Sequence, residues 1–268
     1  MNPARRLILD GLLVSLLVGC STPTAVPLVP PEVRAALAPT GRLRIGVYAG
    51  SPTSLVRGPG ADEMRGLTVD IGRELARRLG VPAEFVVLDR VPEIIAELKS
   101  GRADFTITNA SPARAADVDF TPPVVALETG YLVPAGSAIT AQSDVDRPGL
   151  RIGVAQGGTS HGTLPGVLKH ARVVPAPSVM VASDWLRKGE IDAFASNKGI
   201  LYDMAERVPG SRVLDGRWGL EQLAVAVPQG RGVAAPWLRA FVADAATLGL
   251  VQQAAARAGL RGVVPTLP

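Results

Sequence analysis

GRADFTITNASPARAADVDFTP, Gly101 to Pro122, is the stretch on which the fold turns. Phe105 to Thr108 is a short apolar run that reads as a buried strand. It breaks at Asn109-Ala110-Ser111-Pro112 into loop chemistry. Ser111 suits an N-cap and Pro112 the first position of a short helix. Arg114 then falls in the first turn, among backbone N–H groups that have no intrahelical acceptor. Cations are disfavoured at a helix start, so an Arg there has two readings. With Asn109 and Ser111 beside it, it forms an anion receptor whose planar guanidinium grips a carboxylate through two parallel hydrogen bonds. Alternatively it is a surface cation paired with Asp117 or Asp119.

Outward from this stretch, strands and helices alternate. Residues 43–48, 83–88 and 103–108 read as strands. Residues 68–79 read as a helix with Val69, Ile71, Leu75, Ala76 and Leu79 on one side and Gly80 as its stop, and 92–99 as a second helix. A β-α-β-α-β run implies a parallel sheet covered by helices. After Pro122-Pro123 the pattern restarts, with strands at 130–133, 151–154, 172–174 and 191–195 and helices at 160–169, 178–188 and 198–207. A strand at 222–227 and helices at 236–248 and 251–258 close the chain. The expected fold is α/β and two-lobed, each lobe a small, mainly parallel sheet flanked by helices. The first lobe takes residues 41–125, the second 126–219, and 220–268 return to the first. Segments 124–127 and 219–223 cross between them. Crevices at the carboxyl ends of parallel strands bind ligands, and Asn109 and Gln156 follow strands at such ends.

The first residues have a different character. Arg5 and Arg6 precede an apolar run at 7–18, too short for a comfortable membrane span and shaped like a secretory signal. Leu17-Val18-Gly19-Cys20 resembles the lipobox of bacterial lipoproteins, in which the Cys is lipidated. Residues 1–19 are then a signal peptide, Cys20 the lipid anchor and 20–40, rich in Pro, a tether with a short helical turn at 32–37. Cys20 is the one cysteine in 268 residues, so the exported chain has no internal disulfide and its 47% hydrophobic residues must supply the core. The net charge is +4, with only four Lys among 28 basic residues. No basic cluster interleaves with aromatics, which argues against nucleic-acid binding.

Three further groups can carry chemistry. Gly153 to Ser160 is strand, Gly-rich turn and hydroxyl-rich helix start, either an anion cradle or an ordinary glycine turn. It lacks the Lys-Ser/Thr of a nucleotide loop and the full dinucleotide fingerprint. Asn197 and Lys198 follow an apolar strand and either face the crevice or cap a helix. His161 and His170, the only histidines, have no metal-ligand spacing, and Ser160-His161 are neighbours, not a triad. Asp62 and Glu63 read as solvated turn charges. No metal or cofactor is expected.

The ordered set GRLRIGV (41–47), GLTVDI (66–71), ELARRLG (74–80), LKSGRAD (98–104), SPAR (111–114), VDF (118–120), GVAQGGT (153–159) and GEIDA (189–193) resembles the bacterial extracellular solute-binding proteins of family 3, receptors of ABC importers. The resemblance implies the hinged, type II periplasmic-binding-protein fold and closure over a small amino-acid-like ligand. It also implies a membrane permease as partner and an exported, lipid-anchored, monomeric protein at the bacterial envelope. It places Arg114 on the ligand carboxylate, with Asn109 and Ser111 nearby and Gly158, Thr159 and Ser160 closing from the other lobe. Where the family carries a stacking aromatic, this chain has Gly50 to Ser54, with Ser51 facing the ligand. Where the family carries an acid for the ligand ammonium, this chain has Asn197 and then Lys198. A small carboxylate, or an acidic, polar or modified amino acid, therefore fits better than a cationic one. Dehydratases of prephenate-type acids share the fold and need a general acid. The sequence shows no carboxylate or His for that post, so a non-enzyme is expected. A ligand-presenting sensory module is the remaining alternative.

Overall fold

The computed structural model describes residues 29–58, 60 and 63–264. The signal segment, Cys20, residues 20–28 and Asp62 lie outside the described residues. The first lobe begins earlier than the tether reading allows. Helix α1 (Pro31–Leu37) buries Val33 and Leu37, together with Val29, in the core of that lobe. The three residues recur every fourth position, so one helix face is apolar, and Pro31 opens the helix where its missing N–H costs nothing. Residues 29–40 are thus part of the body.

Strand β1 (Leu43–Tyr48) is followed by a small antiparallel pair, β2 (Val56–Arg57) and β3 (Met64–Arg65). Helix α2 (Leu67–Leu79) lays Leu67, Ile71, Leu75 and Leu79 over Leu43, Ile45 and Val47 of β1, all of them solvent-free or nearly so. Burying each such side chain stabilises by roughly 1.5–3 kcal/mol. Gly80 ends α2 at φ +66°. Strand β4 (Ala83–Leu88) pairs in parallel with β1. Helix α3 (Val91–Lys99) covers the opposite face with Ile94, Ile95 and Leu98. Strand β5 (Thr106–Asn109) lies on the other side of β1, joined by the parallel bridge Ile45–Phe105. The single-turn α4 (Pro112–Ala115) follows.

Strand β6 (Val118–Val133) runs 16 residues, straight through Pro122-Pro123, the point at which the pattern was expected to restart. The second lobe adds β7 (Arg151–Ala155), α5 (Thr159–Val167), β8 (Arg172–Ala176), α6 (Val179–Lys188), β9 (Ala193–Asn197), α7 (Lys198–Arg207) and β10 (Arg212–Val213). Here β7 is parallel to β8 and β9, while β6 is antiparallel to β9. Side chains alternate across this sheet as the pleat requires. Tyr131, Val133, Ile152, Val154, Ala193 and Ala195 enter one core, and Leu132 and Phe194 the opposite one. Strand β11 (Gly219–Pro228) returns antiparallel to β6 and β5, so one sheet runs β5-β11-β6-β9-β7-β8 through both lobes. The β6–β11 register slips opposite the two prolines, which have no N–H to donate. Thr121 Oγ1 accepts the Val225 amide there, 3.2 Å away. Helices α8 (Ala235–Thr247) and α9 (Leu250–Arg257) pack on the first lobe, and β12 (Val263–Val264) pairs with β6 at Ala126 and Leu127.

Both lobes use one device. The backbone N–H and guanidinium of Arg44 hold Asp104 at 2.7–3.0 Å, and those of Arg151 hold Asp192 at the same range. Each ties the first residues of a strand to the turn that precedes its neighbour. Asp104 also takes Arg231 Nη2 at 2.7 Å and is fully buried.

Candidate functional site

A cavity of about 640 Å³ lies between the lobes, at the carboxyl ends of β1, β5, β7 and β9. Six of the predicted site residues line it together: Asn109, Arg114, Gly158, Thr159, Ser160 and Asn197.

Arg114 is placed by the local sequence. Ser111 caps α4 by accepting the Arg114 amide at 3.4 Å, which turns the side chain back along β5. Nη1 donates to Thr108 Oγ1 at 2.9 Å and to Asn109 O at 3.2 Å, and Nη2 to Gly157 O of the other lobe at 3.4 Å. Three of the five guanidinium donors are thus engaged. Nε has no acceptor among the described residues, so the edge formed by Nε and Nη2 remains open to a ligand. Burial lowers the Arg114 pKa, against the pull of Glu221 and Tyr48. The group stays cationic, because its ordinary value lies so far above neutrality. Neither ion pair of the surface reading forms: Asp117 pairs with Lys99 at 2.5 Å, and Arg114 makes no salt bridge with Asp117 or Asp119 among the described residues.

Opposite Arg114, β7 ends in the Gly-rich turn and α5 begins. The Gly157 amide donates to His161 Nδ1 at 3.1 Å and the Gly158 amide to Ala155 O at 3.0 Å. The donors left for an anion are the amides of Thr159 and Ser160, which have no acceptor among the described residues. Gly158 therefore lines the cavity without offering its N–H. The Thr159 hydroxyl accepts Asn109 Nδ2 across the cleft at 3.3 Å.

Two predicted residues stand behind the site. Ser51 is fully buried and bonds Thr53 Oγ1 at 2.7 Å, so Thr53 faces the cavity instead. Ser111 acts on Arg114 as its cap. Tyr48, at the end of β1, supplies an aromatic wall, and burial raises its pKa. Asn197 satisfies both of its readings: Oδ1 caps α7 at Ile200 N, 3.1 Å, while Nδ2 reaches into the cavity. Lys198 turns away, binding Glu128 at 2.7 Å. The expectation that no carboxylate stands in the cleft is overturned by Glu221. This β11 residue is 6% exposed, lines the cavity and accepts Asn197 Nδ2 at 3.0 Å. Burial pushes its pKa up, partly offset by Thr159, Arg114 and Asn197. The only hint in the sequence is a charge inside a segment expected to cross between lobes. Among the described residues no three of His, Cys, Asp and Glu gather as a metal site.

Residues 43–254 match the model of the bacterial extracellular solute-binding proteins, family 3. The chain belongs to this family. A glutamine-binding protein of Geobacillus stearothermophilus is 25% identical over 189 residues, 69% of this chain and 72% of that protein. Among solved structures, an L-cysteine solute receptor of Neisseria gonorrhoeae superposes with a TM-score of 0.74 at 24% identity, covering 84% of this chain and 92% of the receptor. An ancestral amino-acid-binding protein, a precursor of cyclohexadienyl dehydratase, gives 0.73 at 22%, covering 83% and 97%. The two-lobed, type II periplasmic-binding-protein architecture of this family 3 chain is therefore shared with them, and membership implies an exported protein.

Proposed function

We propose that this family 3 protein captures a small solute bearing a carboxylate, an amino acid or close derivative, and delivers it to the permease of an ABC importer. The observation that carries the reading is the open Nε/Nη2 edge of Arg114, aimed into an interlobe cavity whose far wall offers the unspent amides of Thr159 and Ser160. The volume suits a small ligand. The solute docks on Arg114 and the second lobe completes the anion site from its helix start, so the ligand favours the closed arrangement through contacts made only there. The relatives named for glutamine and L-cysteine support an amino-acid ligand. Export with lipidation at Cys20 keeps a monomeric receptor beside its membrane partner. The test is calorimetry with the twenty L-amino acids on the wild type and on Arg114→Ala. The variant is expected to lose about 100-fold or more in affinity, as for a buried charge-assisted pair. Unchanged affinity overturns the site.

One observation favours a second reading. Glu221, a carboxyl with raised pKa beside Arg114, meets the demand of a dehydratase for a general acid. A family of solute-binding proteins and a curated relative named for binding weigh toward the receptor. Release of carbon dioxide from prephenate by the purified protein would reverse that order.

A further inference from the structure

We propose that Glu221 holds the ammonium group of an amino acid whose carboxylate lies on Arg114, so that this chain selects zwitterions with an acid drawn from the crossing strand β11 and not from the second lobe. The proposal rests on the receptor reading above.

Glu221 is a carboxylate inside the cavity with no cation in contact. Its hydrogen-bond partners are neutral, the Asn197 amide Nδ2 at 3.0 Å and the Thr159 hydroxyl, and it takes part in no ion pair among the described residues. Arg114 is near enough to lower its pKa but forms no salt bridge with it. A buried carboxylate without a counter-charge is costly. Burial alone does not explain why an acid stands here, since its strand neighbour Leu223 lines the same cavity as a hydrocarbon. The two inner charges, Arg114 and Glu221, are one of each sign and line the same cavity. An amino acid presents the same two charges, both groups bonded to its α-carbon.

Asn197 has a role in this arrangement. It stands where the family resemblance implies an acid, and as an amide it orients the Glu221 carboxylate instead of competing with it. A carboxylic acid lacking the amino group would leave Glu221 buried and unpaired, and a second carboxylate on the ligand would be repelled by it. Selectivity for a buried polar contact of this kind is strong, because the analogue that lacks the group strands its partner.

The experiment uses the purified chain and the twenty L-amino acids, each compared with its 2-deamino carboxylic acid by calorimetry. The wild type is expected to prefer the best-binding amino acid over its deamino acid by about 100-fold. In Glu221→Gln that preference should collapse to within a few-fold, with the deamino acid bound as well as before. Adding Asn197→Asp to Glu221→Gln should restore it, since Asp returns an acid to the second lobe and still caps α7. A preference that survives Glu221→Gln overturns the proposal. So does an equal loss for amino acid and deamino acid, which assigns Glu221 a structural part. Binding of deamino acids alone by the wild type overturns it and leaves the receptor standing. If neither class binds, the receptor reading itself falls.

Discussion

Arg114 is a half-buried charge in the cleft and Asp104 a fully buried one, and they do opposite work. Arg114 keeps donors unspent, whereas Asp104 is saturated by Arg44 and Arg231. Breaking a buried ionic cluster strands its remaining members. Asp104→Asn should cost about 3 kcal/mol, lowering the thermal midpoint by roughly 6–12 °C for a chain of this size. Calorimetric melting checks it, and an unshifted midpoint refutes the clamp. At this scale the position of Arg114 in the cleft was legible, because the Ser-Pro-Ala-Arg spacing makes cap, helix start and cation one local unit. Glu221 was not legible. Its side chain reaches the cleft only through the pairing of β11 with β6, nearly a hundred residues away in sequence. Ser51 was misplaced for a related reason. Its direction is set by the turn from Ser51 to Ser54, in which Ser54 Oγ takes the Tyr48 amide.

Among the elements, periodicity identified the strands and helices well, because each of them carries its own apolar face. It found the helical turn of α1 but left it in a tether, because Pro23, Pro27, Pro30 and Pro31 masked the stripe of Val29, Val33 and Leu37 that packs on the first lobe, and it broke β6 at two prolines that the sheet accommodates by slipping register. One loop-to-loop contact is invisible to periodicity altogether. Asp146 accepts the amides of Lys169, His170 and Ala171, which hold its pKa at about 2 against an ordinary 3.8. A folded-state pKa below the unfolded one contributes stability above pH 4, and that contribution is lost as pH falls through the window from 4 to 2. Denaturant midpoints followed from pH 7 to pH 2 should therefore show a shallower acid fall for Asp146→Asn than for the wild type. Parallel curves would remove Asp146 from the acid response.

Across the whole molecule, the lobes meet at Gly157. Its backbone has φ +73°, and a Cβ there would stand 2.2 Å from Cγ of Pro92, a rigid ring on the other lobe. Gly157→Ala should hold the lobes apart. Gly189 has nearly the same φ, +69°, and nothing within 4 Å of its Cβ position. Gly189→Ala thus carries the same backbone cost, about 1–2 kcal/mol, with no interlobe clash. Small-angle scattering with saturating solute should show Gly157→Ala remaining more extended than Gly189→Ala, with affinity reduced at least tenfold more. Equal behaviour would mean that the clash is absorbed elsewhere.

The crossing between the lobes is wider than two connecting segments. At Ala126 and Leu127, β6 has β11 on one edge and β12 on the other, and the Glu128 amide is held by Gly262 O at 2.9 Å. Mechanically this is a ribbon, not a pair of strings. Its cross-strand hydrogen bonds oppose shear and torsion in the plane of the sheet, while flexing normal to that plane stretches few of them. The molecule thus has one soft coordinate, the distance between two outer surfaces. In the proposed receptor role, a membrane partner gauging that distance would receive a single unambiguous message, occupied or empty, without touching the solute.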